Sequence, residues 1–160
     1  MKILCFHNPN EENGYLSNWY PSCFQAENIN YTSMEQYMMY QKAICFQDKS
    51  TALQILAASD PSQIKALGRI VSGYGEHQWN GLRQIIVYDG LLAKFTQNKA
   101  LKKQLFDTGD SILAECAQKD RIWGIGLTMH DPDRFDRSKW QGQNLLGYAL
   151  MRVRSHLNNE

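Results

Sequence analysis

The segment YTSMEQYMMYQKAICF, Tyr31 to Phe46, sets one carboxylate and one amine, Glu35 and Lys42, among methionines and aromatic residues. In an α-helix a spacing of seven residues comes within about 20° of two full turns and advances about 10.5 Å. The two groups then share a face, with Met38, Met39 and Phe46 within about 60° of it. Tyr37, Tyr40 and Ile44 leave the other side equally poor in charge, so the helix is expected to be buried nearly all round. A buried charge is costly unless something answers it, and these two are too far apart for a direct i, i+4 pair. A partner for the carboxylate and the amine is expected between or above them on that face.

Two structural roles compete with that reading. Glu35 can close a capping box from Thr32, and Lys42 can lay its stem on the apolar stripe and reach water. Ser33 and Gln36 offer a second capping box one residue later, which would leave the Glu35 carboxylate free.

Other familiar chemistries are missing. GYGEHQ lacks the third glycine of a dinucleotide loop, and no Walker-type phosphate loop, HExxH or GxSxG occurs. His7, His77, His130 and His156 are far apart, and Cys5, Cys23, Cys45 and Cys116 are scattered without the spacing of a zinc clamp or a disulfide framework. The thiols are expected to be reduced and mostly buried, and no metal site is predicted. Any catalysis must then come from carboxylates, Lys and Arg, without a metal or redox cofactor.

The elements that position these residues can be read from punctuation and period. FHNPNEENGYLSNWYPSCF mixes Asn, Gly and Pro with aromatics and predicts short strands joined by turns. ASDPSQIKALGR predicts a short helix, with Ser59 or Asp60 as its cap, Pro61 in the first turn, Gly68 at a left-handed exit and Arg69 where the chain turns. EHQWNGLRQIIVYDGLLAKF predicts a long helix with Trp79, Leu82, Ile86 and Ala93 on its apolar face, although Gly81 and Gly90 oppose it. NKALKKQLFDTGD continues helical to about Thr108. SILAECA reads as a buried strand leading to the loop QKDRIWGIGL, DPDRFDRSKWQGQ as a polar excursion, and NLLGYALMRVRSHL as a helix that docks on the core.

The 160 residues suit one domain spanning 1–160, with no linker or repeat to divide it. Hydrophobic residues at 43% and charged residues at 21% describe an ordinary folded chain. Seventeen basic and sixteen acidic side chains leave a formal charge of +1, so no global field recruits a long polyanion; a small ligand or a local nucleic-acid contact stays open. The start, MKILCFHNPN, lacks the apolar centre of a signal peptide, and no run approaches about 18 apolar residues. A cytoplasmic protein with no membrane partner is expected.

GYLSNWYPSCF, YTSMEQYMMYQKA, LGR, the spaced run from Trp79 through GLLAKFTQN, TGDSILAECAQKDRIWGIG and WQGQNLLGYALMRVR together resemble, in order, the NADAR family of YbiA-like N-glycosidases. The likeness runs from about Gly14 to Val153. It implies a compact α+β single domain, mainly helices around a small β-sheet, with a pocket for a ribose phosphate or ADP-ribose-like group. It also implies hydrolysis of N-glycosidic bonds, with ribosylaminopyrimidine phosphates of riboflavin synthesis as one substrate class and ADP-ribose attached to guanine as another.

On the matching positions, the resemblance implies catalytic roles for Glu35, Lys42 and Asp120, and substrate contacts at Asn18, Arg69, Trp79, Trp123, Gly124 and Asn144. Cleavage builds positive charge at the anomeric carbon and negative charge on the departing base, so Glu35 and Asp120 can divide stabilisation and proton donation in either order. Lys42 can form a Schiff base with the ring-opened sugar or bind phosphate. Trp79 and Trp123 offer flat faces for a base, and Arg69 a fork for phosphate oxygens. Each has a structural alternative. Trp79 and Trp123 suit the core, and Arg69 an ordinary surface. Asp120 can pair with Arg121 for at most about 1 kcal/mol, while Asn18 and Asn144 can close turns. Ile125 stands where some members carry an acid between two glycines, and Trp19 where Phe is commoner. Two rival functions are an ADP-ribosyl hydrolase acting on modified nucleic acid and a non-catalytic NAD or ADP-ribose-binding module.

Overall fold

The computed structural model describes residues 1–160, and the chain divides into two units: Pro21–Gln97, and Met1–Tyr20 with Asn98–Glu160. The fold class is α+β, with six α-helices and strands in two two-stranded sheets.

The unit of residues 21–97 begins with an antiparallel hairpin of β2 (Phe24–Ala26) and β3 (Ile29–Tyr31), in which Phe24 faces Tyr31 and Ala26 faces Ile29. Its two-residue turn, Glu27 and Asn28, has both φ values positive, at 51° and 63°, as the twist of a tight hairpin requires. Helix α1 (Met34–Cys45) follows, then α2 (Lys49–Ala57), α3 (Pro61–Arg69) and the 22-residue α4 (Glu76–Gln97). Helix α1 packs against the other three and is buried along most of its length, as its composition predicts. Tyr31 meets Tyr37 edge-on with ring centroids 5.1 Å apart, joining hairpin to helix.

The caps explain where these helices start. Ser33 Oγ accepts from Gln36 N at 3.1 Å, and Gln36 Oε1 reaches back to accept from Thr32 N at 2.8 Å. Asp48 caps α2 by accepting from Thr51 N, and Asp60 caps α3 by accepting from Ser62 N beside Pro61. Helix α2 carries no signal singled out by the sequence pattern.

Two expectations are corrected. Gly68 does not make a left-handed exit: it lies inside α3, where a Cβ would come within 2.0 Å of Met39 Sδ, so its smallness admits α1. In α4, Leu82 is exposed and Ile86 and Ala93 are half-buried; the inward face is Trp79, Val87, Gly90, Leu91, Lys94 and Phe95. A lysine on that face hides it from any reading that counts only apolar residues.

The other unit pairs β1 (Ile3–Phe6) in parallel with β4 (Ile112–Glu115), from Ile3 opposite Ile112 to Phe6 opposite Glu115. All of β4 is buried, as SILAECA predicts. Helix α5 (Lys99–Asp107) precedes it and α6 (Leu145–Asn158) packs on it. The polar excursion becomes two 3₁₀ turns, Pro132–Phe135 and Arg137–Lys139. Buried Arg154 of α6 donates to Thr108 Oγ1 at 2.6 Å and Ser111 O at 2.9 Å, which satisfies a charge that would otherwise oppose docking. All four cysteines are free: Cys5 and Cys116 are buried, Cys45 is half-buried and Cys23 exposed. No helix is long and apolar enough to cross a membrane.

Candidate active site

Ser33 and Gln36 form the start of α1, and Glu35 lies in its first turn, only 5% exposed. Two turns along, half-buried Lys42 does not run out to water. Its Nζ donates to Gly68 O at 2.8 Å and sits 4.6 Å from the centroid of the Tyr74 ring. Tyr74 in turn packs edge-on against Phe46, the centroids 5.4 Å apart. Burial holds the Lys42 amine below the ordinary lysine range; the Glu35 charge opposes this and the Arg69 guanidinium reinforces it. Glu35, Lys42 and Arg69 therefore form one electrostatic group, assembled by α1 and the last turn of α3. Arg69 is exposed, where its fork can meet an anion.

Trp79 is 6% exposed, on the inward face of α4. The exposed aromatic beside the amine is Tyr74, which lies in GYGEHQ and carries no periodic signal.

In the unit of residues 1–20 and 98–160, Asp120, Trp123 and Gly124 share the loop that leaves β4. Asp120 Oδ1 accepts from Ile122 N at 2.9 Å and Trp123 N at 2.8 Å, fixing that loop, while Arg121 donates to Gln141 Oε1 rather than pairing with Asp120. Trp123 is half-buried. A Cβ on Gly124 would fall 2.9 Å from both Asp120 O and Glu115 O, so only glycine lets the loop close this tightly. Asn144, fully buried and left-handed at φ 54°, accepts from Glu115 N at 3.0 Å and donates to Leu113 O at 2.8 Å. Its amide therefore serves β4 and the entry to α6, an extension of the turn-closing role. Asn18 is buried with its Oδ1 lacking a hydrogen-bond partner.

Three further ionisable groups lie where the sequence patterns gave no warning. Lys94 is fully buried in α4. Glu115, at the end of β4, is paired with His7 just beyond β1. An acid in an otherwise apolar strand, and a lysine in the GLLAKF run, are the signals that mark them. No three His, Cys, Asp or Glu side chains converge to hold a metal ion.

The NADAR domain profile matches residues 5–158. The chain belongs to the NADAR family. It is 37% identical to an N-glycosidase of Acanthamoeba polyphaga mimivirus, over 96% of this chain and 95% of that protein. It is 34% identical to a riboflavin biosynthesis protein of Vibrio vulnificus, over 96% of this chain but 38% of the Vibrio protein. The NMR structure of Escherichia coli YbiA superposes with a TM-score of 0.81 at 26% identity, covering 99% of this chain and 86% of YbiA. The N-glycosidase relatives support an N-glycosyl hydrolase as the enzyme class of this NADAR protein. The chemistry its side chains offer is of that kind: a buried carboxylate to face positive charge, a desolvated amine able to attack carbon, and a guanidinium for an anion.

Proposed function

We propose that the chain hydrolyses the N-glycosidic bond of a ribosylated base, with ribosylaminopyrimidine phosphates of riboflavin synthesis as its substrates. The observation that carries this reading is the Glu35, Lys42 and Arg69 group, a half-buried amine of lowered basicity that feels the charges of a buried carboxylate and an exposed guanidinium. The riboflavin assignment draws on the Vibrio relative.

In this reading Arg69 takes phosphate oxygens and Glu35 stabilises the cationic anomeric carbon. The Lys42 amine forms a bond to that carbon as the bond to the base breaks, the electron pair leaving with the base nitrogen, which takes up a proton. Ring opening gives an imine between Lys42 and the sugar; water adds to it, and its breakdown returns free amine and ribose phosphate.

The test is release of free base, followed by chromatography, from a ribosylaminopyrimidine phosphate and, separately, from ADP-ribosylated guanosine. Base release from the first at the greater kcat/KM is expected, with a borohydride-trapped sugar adduct on Lys42. Glu35→Gln, which leaves the Ser33 cap in place, should lower kcat about a hundredfold. Preferential cleavage of the guanosine adduct would replace the substrate assignment, and cleavage of neither would remove the enzyme reading.

A further inference from the structure

Tyr74 is 46% exposed, yet its ring lies over the Lys42 amine, with the centroid 4.6 Å from Nζ. The loop that carries it, between α3 and α4, is tied down on both sides. Asp48 caps α2 with Oδ1 and accepts from Ser72 N with Oδ2 at 2.9 Å, while Trp79 N donates to Gly75 O at 3.0 Å as α4 begins. Buried Val71 anchors the same segment. Phe46, at the C-cap of α1, meets the Tyr74 ring edge-on. The fold therefore presents an aromatic face to Nζ and leaves the remainder of the ring open to solvent.

We propose that Tyr74 is a further catalytic residue, whose ring face stabilises the cation that forms at Lys42 Nζ when the amine attacks the sugar. The inference rests on the N-glycosidase reading and on the attack by Lys42 within it. The lone pair of Nζ forms the bond to the anomeric carbon as the bond to the base breaks. The pair from that bond stays on the base nitrogen, which takes a proton from water. Nζ is then a secondary ammonium. It passes one proton to the ring oxygen as the sugar opens, which leaves an iminium with a single N–H. Water adds to the iminium carbon, and breakdown frees the amine and returns a proton to solvent.

Positive charge thus stays at Nζ from attack to hydrolysis, beside the ring. The ring quadrupole attracts a cation and gives a neutral amine no such attraction. Its pull is stronger after attack than before, which is the condition for lowering the barrier. Gly68 O, which accepts from Nζ at 2.8 Å, is the acceptor for the N–H that the iminium retains. The other charges that this amine feels are Glu35 on its own helix and Arg69 at the end of α3, and neither changes when the ring is altered.

Tyr74→Phe, followed by mono-, di- and pentafluorinated phenylalanine at the same position, withdraws charge from the ring face in steps and keeps its shape. The measurement is the single-turnover rate at which a borohydride-trapped Lys42–sugar adduct forms from the ribosylaminopyrimidine phosphate, read by mass spectrometry across pH. On the alkaline plateau, where Lys42 starts neutral, the rate should fall with each added fluorine, by about two- to fivefold from Phe to the pentafluorinated ring. On the acid limb the profiles should converge, because the starting ammonium and the iminium lose the same attraction. Equal rates across the series overturn the proposal, and so does a loss of one size at every pH, which is the signature of packing alone. If the wild-type chain releases no base, the functional reading falls and takes this proposal with it. Base release without a Lys42 adduct removes the attack by Lys42 and this proposal together, and leaves the enzyme class standing. If the adduct forms and the series is flat, this proposal alone falls.

Discussion

Two lysines of the unit of residues 21–97 occupy apolar helix faces and meet different fates. Lys42 of α1 is half-buried, with a carbonyl, an aromatic face and two opposite charges around it. Lys94 of α4 is 0% exposed, and burial alone pushes its amine down to about 7. Desolvation weakens the basicity of both, and so desolvation is not what marks a reactive amine. The difference lies in access and in the surrounding charges: Lys42 has Arg69 to attract an anion and Glu35 to face a cation, whereas Lys94 lies wholly within the packing of α4.

The largest test of that difference is activity. Lys42→Arg retains the charge but loses the attacking amine, and should lower base release about a hundredfold or more while the protein melts normally. Lys94→Met, of similar length and without charge, should leave base release unchanged. If Lys94→Met abolished activity in a folded protein and Lys42→Arg did not, the roles of the two amines would have to be exchanged.

A second, smaller effect lies in the pH dependence of stability. The Lys94 amine is near 7 in the folded chain and at the ordinary 10.5 when unfolded, so between those values the unfolded chain holds the extra proton. Its stability penalty is therefore fully present below about 7 and is relieved as pH rises towards 10.5. The slope in that window is at most about 1.4 kcal/mol per pH unit. Denaturant melts of wild type and Lys94→Met at pH 7 and pH 9 should show wild type gaining on the variant as pH rises. Parallel behaviour would mean that Lys94 stays charged in the fold, answered by a neighbour.

This pair also shows what was legible in the sequence. Helix α1 announced itself, because its cap residues and its near-continuous apolar surface agree, and the placement of Glu35 with Lys42 follows from helical period alone. The Thr32 and Ser33 alternatives could not be separated by pattern, since both satisfy the capping spacing; the one-residue difference is settled by the hydrogen bonds of Ser33 and Gln36. Lys94 and Glu115 stayed hidden because apolar counting treats a charge as exposed by default. Asp120 and Asn144 were found by family resemblance, yet their hydrogen bonds to backbone groups depend on loop geometry that no period encodes. Tyr74 was invisible for the same reason, as it meets Lys42 from a loop between α3 and α4.

Tyr74 gives the smallest effect and the sharpest resolution of what holds Lys42. Its ring face stabilises an ammonium by about 0.5–1 kcal/mol, and it opposes the burial that favours the neutral amine. Tyr74→Leu keeps apolar cover over Nζ and removes that attraction, so the amine should become less basic and the acid limb of kcat/KM should move to lower pH. Tyr74→Phe retains the ring face and should keep the wild-type limb, since it is the ring that lies over the amine. Coincident profiles for the Leu and Phe variants would reduce the ring to packing against Phe46, and would leave the Gly68 carbonyl and the Glu35 charge as the groups that keep the proton on Lys42.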